Sequence, residues 1–391
     1  MTTRAAPLKT AASEAVQPAS IAALVTALVL SVLLIVVLGL VAAEVGLYAW
    51  ESVGGAKPSP NQLTTMAWLV LMSGGVGGLA ANRLVRRVFR IGAPGPIWYS
   101  CAGVALGAVP AGIWLAIHAA NQAAATANMP TTAGATAQRL LTVMFAALGG
   151  VLVVAVRPYL RLVGASLGGT AVVVLAFAIV SLFAKNGNVR LGLLQFGALG
   201  DAEMAPSYFS PLFIEAAIAA ALPATIVAWL GRHRDQPWGE AALAGVAGPF
   251  VVGLSYLIAG NGIKDTVDSV RPWLYVQAAA ALAFLLAAYT GRMTARNDHI
   301  AVRPMPHRYL WWVAGAIVGA LMGMIASIVF FNLGPFPFSI GAASEQVTGN
   351  MRTNDNSVLV SASATLIGLA VAIPVLIEAV WSVVASQRRR A

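Results

Sequence analysis

The sequence predicts an all-α, polytopic membrane helix bundle of about ten transmembrane helices. Three observations predict it. Of the 391 residues, 59% are hydrophobic and 10% charged, whereas soluble globules carry roughly a quarter charged residues. Apolar runs of about 18 residues or more recur along the chain, each long enough to cross a hydrocarbon layer of roughly 30 Å. Arg and Lys gather in alternate connecting segments, as the positive-inside rule requires.

The elements follow in chain order. Residues 1–19 are polar and Ala/Thr-rich and are expected to be a disordered cytoplasmic tail. One membrane domain is expected over 20–386, with spans near 20–49, 62–82, 97–120, 139–156, 162–184, 211–231, 240–260, 272–291, 309–333 and 357–385. Val41-Ala42-Ala43 resembles a signal-cleavage site. The apolar stretch before it is too long for a signal peptide, so an uncleaved anchor is expected. Residues 387–391 form a basic cytoplasmic tail. An odd number of spans per half makes 1–184 and 211–391 candidate inverted five-helix halves. The Gly-rich stretches GGVGG (74–78) and GVAGP (245–249) correspond under that division, whereas the span prolines do not pair.

Orientation comes from the basic residues. The segments assigned to the inside hold Arg4 and Lys9; Arg83, Arg86, Arg87 and Arg90; Arg157 and Arg161; Arg232 and Arg234; Arg292, Arg296, Arg303 and Arg308; and Arg388 to Arg390. The outer segments hold the sparser set of Lys57, Arg139, Lys185, Arg190, Lys264, Arg271 and Arg352. Both termini are therefore expected in the cytoplasm. Trp50, Trp98, Trp238, Trp273, Trp311, Trp312 and Trp381 fall near span ends, where interfacial aromatics belong. The longest connections, 185–210 and 332–356, face outward in this scheme; they contain VRLGLLQFGALG and the stiff turn GPFPF. The excess of Arg over Lys and the abundance of Ala suggest a GC-rich bacterial genome, hence a bacterial cytoplasmic membrane. Basic residues confined to membrane loops need no nucleic-acid partner; the expected partner is the lipid bilayer.

Glycine and proline mark where helices meet or bend. Gly315, Gly319 and Gly323 repeat every four residues, so they share a face that admits a close neighbour. That face is also a candidate contact with another membrane protein. Gly103 and Gly107 do the same in the third span. The denser cluster Gly74, Gly75, Gly77 and Gly78 predicts tight contact, a bend, or backbone lining a cavity. Pro110, Pro223, Pro249 and Pro374 lie within spans. Each removes a backbone donor and frees a carbonyl one turn earlier. Pro110 and Pro249, with the glycine cluster, are the candidate helix breaks.

Among carboxylates, Glu44, Glu215 and Glu378 fall within or at the edge of spans, and the rest are assigned to loops. Glu215 lies about 7 Å along its helix from Ser210, and Glu44 about 9 Å before Trp50, which puts both at a similar outer depth. A carboxylate facing lipid there costs about 2 kcal/mol or more. The two are candidate binding or proton-coupling residues in one outward vestibule. The alternative is that each reaches the headgroup region or pairs with Arg139, Arg190 or Arg271. Glu378 is expected at the inner boundary, paired with a basic loop.

The lone Cys101 excludes an intrachain disulfide and a CxxC motif. His118, His233, His299 and His307 have no spacing suited to a metal, and no HExxH or GxSxG motif is present. No cofactor and no catalytic residue is expected. These features read as a transporter or flippase-like protein for a small or lipid-linked substrate. A non-catalytic scaffold or accessory subunit of an envelope-building or division complex is the alternative. A lipid-linked glycosyltransferase using Glu44 or Glu51 ranks last, because the loop 51–62 is too short to present a sugar platform.

Overall fold

The computed structural model describes residues 8–44, 52–53, 57–58, 60–90, 97–127, 131–157, 160–183, 211–232, 236–259, 267–293, 305–331 and 355–388. Among them are ten helices: α1 (Leu8–Glu44), α2 (Pro60–Val88), α3 (Ile97–Ala127), α4 (Ala133–Ala155), α5 (Val163–Phe183), α6 (Pro211–Arg232), α7 (Trp238–Ile258), α8 (Val267–Met293), α9 (Arg308–Phe331) and α10 (Asp355–Arg388). A two-residue antiparallel ladder joins β1 (Ser52–Val53) to β2 (Lys57–Pro58), pairing Ser52 with Pro58. Seven helices are long and apolar enough to cross a membrane: α1 to α4, α7, α9 and α10. In α5, α6 and α8 the described apolar stretches are shorter. The connections expected over 185–210 and 332–356 lie outside the described residues.

The helices group into two compact units, Met1–Pro158 and Tyr159–Ala391. The first contains α1–α4 and the second α5–α10. That grouping is four and six, not the five and five expected from helix count. The reason lies on α5 and α7. Pro249 has no N–H, so the carbonyl of Gly245 loses its usual helical donor. Ser166 Oγ on α5 donates to that carbonyl at 2.8 Å and accepts from Gly248 N at 3.2 Å. Gly169 of α5 lies against Pro223 of α6. These contacts tie α5 to the helices that follow it.

α1 begins at Leu8, inside the stretch expected as a tail, and continues through Pro18. Ala-rich composition favours helix there. Within the first unit, α2 is almost wholly enclosed by α1, α3 and α4. Small residues allow this. A Cβ on Gly78 would meet Val104 and Val154, and one on Gly77 would meet the backbone and hydroxyl of Ser31. Gly103 and Gly107 admit the α1 backbone at Leu24 and Leu28. Within the second unit, the Gly315–Gly319–Gly323 face of α9 is taken by α10 of the same chain, against Pro374, Leu369 and Leu366 respectively. The opposite face of α9 exposes Leu310, Val313, Ile317, Leu321 and Ile325.

Candidate functional site

Buried polar side chains concentrate on α2 and its neighbours. Gln62, Thr64, Thr65, Ser73 and Asn82 of α2 are all buried. From Gln62 to Asn82 they cover about 30 Å of helix, the thickness of a hydrocarbon layer. At the start of this row, Arg139 of α4 is fully buried and its Nε donates to Gln62 Oε1 at 3.3 Å. The sequence reading put Arg139 in an outer loop. In the structure α4 starts at Ala133, capped by Thr132, whose hydroxyl accepts from Ala135 N at 3.3 Å. The cap adds more than a turn of helix ahead of Arg139 and carries it into the bundle.

Further along, the Gly78–Val104 contact sets the register of α2 against α3. Asn82 and Ser100 each lie one turn beyond it, at a common level. Ser31 of α1 faces Gly77, and Ser73 precedes that glycine by one turn. The side chains of Ser31, Ser73, Asn82 and Ser100 are all buried and make no hydrogen bond among the described residues. Both amide atoms of Asn82 are in this state. A serine offers a donor and an acceptor, and asparagine offers two donors and an acceptor. Each can bind water or a polar group of either hydrogen-bonding sense; Ser31 and Ser73 lie on the α1 side of α2, Asn82 and Ser100 on the side of α3.

In the second unit two carboxylates are engaged. Glu240, in the first turn of α7, is 2% exposed. Its Oε1 accepts from Arg161 N at 3.1 Å. With its amide nitrogen turned inward, Gln236 donates to both carboxylate oxygens, at 2.9 and 3.1 Å. In sequence Glu240 stands at the first position of the span expected over 240–260 and groups with the loop carboxylates. The first turn of α7 holds it instead, beside the free amides of a helix start. Glu378 of α10 accepts from Arg292 at 2.6 Å, from Arg308, and from Trp312 Nε1 at 3.2 Å. This is the basic partnership expected of it.

The remaining predicted residues are placed as follows. Glu44 is the last residue of α1, and Glu215 lies just past the first turn of α6. Their side chains lie outside the described residues. The two belong to different compact units. α2 is one continuous helix through Gly74, Gly75, Gly77 and Gly78, and Pro110 and Pro249 lie inside continuous α3 and α7. His118 stacks on Trp114, with ring centroids 5.2 Å apart. Among the described residues no group of three or more His, Cys, Asp or Glu side chains is placed to hold a metal ion. Compared with family models, curated proteins and solved structures, the chain matches none.

Proposed function

We propose that this is a multi-pass membrane protein that moves a small polar or lipid-linked substrate along α2. One observation carries the reading: buried polar side chains recur around α2 from Gln62 to Asn82, over the depth of a bilayer, with Ser31 and Ser100 on the neighbouring helices. Four of these groups, Ser31, Ser73, Asn82 and Ser100, make no hydrogen bond among the described residues, and a helix used only for packing has no need of them, since each such buried group costs about 1–3 kcal/mol. Polar residues inside a membrane bundle mark substrate and ion pathways. Glu44 and Glu215 are proposed as outward-level sites for a cation, a proton or a polar headgroup. The membrane is proposed to be a bacterial cytoplasmic membrane, with both termini inside.

Asn82→Cys in a Cys101→Ala background tests the path, because Cys101 is the sole native cysteine. In sealed vesicles, a membrane-impermeant thiol reagent is expected to modify residue 82 from at least one side. Protection from both sides at unchanged folded yield refutes the path. A second reading, a membrane scaffold, is favoured by α9, which packs mainly on α10 and leaves a continuous apolar face exposed. Protection of residue 82, together with a partner crosslinked to that face, is the result this reading expects.

A further inference from the structure

Three unpartnered polar groups stand near the arginine-rich end of α2. Asn82 and Ser100 are fully buried, and neither the amide nor the hydroxyl makes a hydrogen bond among the described residues. Arg86 lies one turn beyond Asn82, and its Nε is buried and without a hydrogen bond in the same sense.

Helix geometry puts the three on one side. Gly77 meets Ser31 of α1, and the next residue, Gly78, meets Val104 of α3. Val85 packs with Ala19 and Ala23 of α1, and Arg86 follows it by the same rotation of about 100°. Gly78, Asn82 and Arg86 are spaced by four, so they follow one face, on the side of α3 and away from α1. α3 runs antiparallel to α2 here, since Gly74 meets both Val104 and Ala108 and Gly78 meets Val104. Ser100, one turn before Val104, therefore comes to the level of Asn82.

These helices offer the donors no carboxylate of their own. Between Glu51 and Asp201 the sequence has no aspartate or glutamate, so α2, α3, α4 and α5 carry none. Glu14 and Glu44 belong to α1, the helix on the other side of α2 from this face. Buried donors call for an acceptor. The amide nitrogen, the hydroxyl and Nε all donate, and a guanidinium edge matches oxygens held in one plane.

We infer that Asn82, Arg86 and Ser100 bind an oxyanion, a carboxylate or phosphate group carried by a solute or by a lipid head. The inference rests on the membrane reading of α2 and gives the proposed path its substrate class.

The test melts the purified full chain in a non-ionic detergent with sodium phosphate, sodium acetate or sodium chloride at equal ionic strength. A parallel series adds phosphatidylglycerol or phosphatidylcholine to the micelles. A solute oxyanion is expected to raise the melting temperature with phosphate or acetate above that with chloride. A lipid head is expected to raise it with phosphatidylglycerol above that with phosphatidylcholine. Ser100→Ala removes a buried group without a partner, so it should melt at or above the parent in plain buffer. It should nevertheless need about tenfold more ligand for the same rise. Arg86→Gln should need at least as much, and Arg87→Gln, at an exposed neighbour, should match the parent. No rise in either series overturns the site, as does an unchanged response in Ser100→Ala or an equal loss in Arg87→Gln. Thiol labelling of residue 82 reads the path separately. A labelled residue 82 with no anion response overturns the site and leaves the path standing; an anion response with residue 82 protected leaves a binding site without a path.

Discussion

Ser166 Oγ on α5 lies 2.8 Å from the carbonyl oxygen of Gly245 on α7, the acceptor that Pro249 leaves without a helical donor. A defect in one helix is thus repaired by a side chain from another. Ser166→Ala should cost about 1–3 kcal/mol, because the buried carbonyl then has no donor. In a Pro249→Ala background the helix supplies its own N–H, and the Ser166→Ala cost should shrink by about 1 kcal/mol or more. A thermal-unfolding double-mutant cycle in detergent checks this. Additive effects would mean that the serine does not serve the proline.

Glycines on the two faces of one helix pair should respond in opposite directions. A Cβ at Gly319 would run into the α10 backbone at Leu369 and Ala370, whereas one at Gly368 meets nothing within 4 Å. Gly319→Leu should destabilise by about 1–3 kcal/mol through overpacking. Gly368→Ala should stabilise by roughly 0.5–1 kcal/mol, since alanine loses less backbone freedom on folding. Melting temperatures of the two variants should move apart; a shared direction would contradict the α9–α10 packing.

Gln62 gives the buried guanidinium of Arg139 an acceptor. Gln62→Leu should cost about 1.5–3 kcal/mol, the range for a hydrogen bond to a charged group. The cost should be smaller when Arg139 is replaced by Met. Denaturation of the four proteins in the cycle measures the coupling, and a coupling near zero would remove Gln62 as the partner.

Glu240 accepts from the backbone amide of Arg161, so its oxygen matters there more than its charge. Glu240→Ala should lower stability by about 1–3 kcal/mol. Glu240→Gln keeps an oxygen and should lose less. Equal losses in the two variants would mean that the charge, and not the acceptor, holds the turn.

The topology proposal follows from the basic segments. In a cysteine-free background, single cysteines at positions 88, 235 and 300 should label from the cytoplasm, and those at 125, 195 and 345 from outside. One inverted pair breaks the scheme.

Much of the fold was legible because length and apolarity suffice to define a crossing helix. The Gly315–Gly319–Gly323 face was legible as a contact face, since a spacing of four fixes a helix side. Its neighbour was not, because spacing says nothing about which helix arrives. Arg139 and Glu240, the first residues of the spans expected over 139–156 and 240–260, group with the loops in sequence because a charge marks the edge of an apolar window. Thr132, a good N-cap more than a turn ahead of Arg139, was the signal for the earlier start. The place of α5 was hidden in one serine within an apolar run. Its clue was the donor that Pro249 lacks, which some other segment had to supply. The unpartnered groups of Ser31, Ser73, Asn82 and Ser100 could not be found from sequence, since only packing shows whether a polar side chain has company.

The enclosure of α2 has a consequence for biosynthesis. The ribosome releases α1 first, the most apolar of the seven long helices, and then α2, the one least exposed in the finished protein. On the membrane reading, when α2 leaves the translocation channel α3 and α4 do not yet exist, and Asn82, Gly74 and Gly78 meet lipid on the sides those helices will occupy. α1 alone must escort it. A nascent chain halted before residue 97 therefore carries an uncovered polar helix, a form that membrane quality control should recognise and remove.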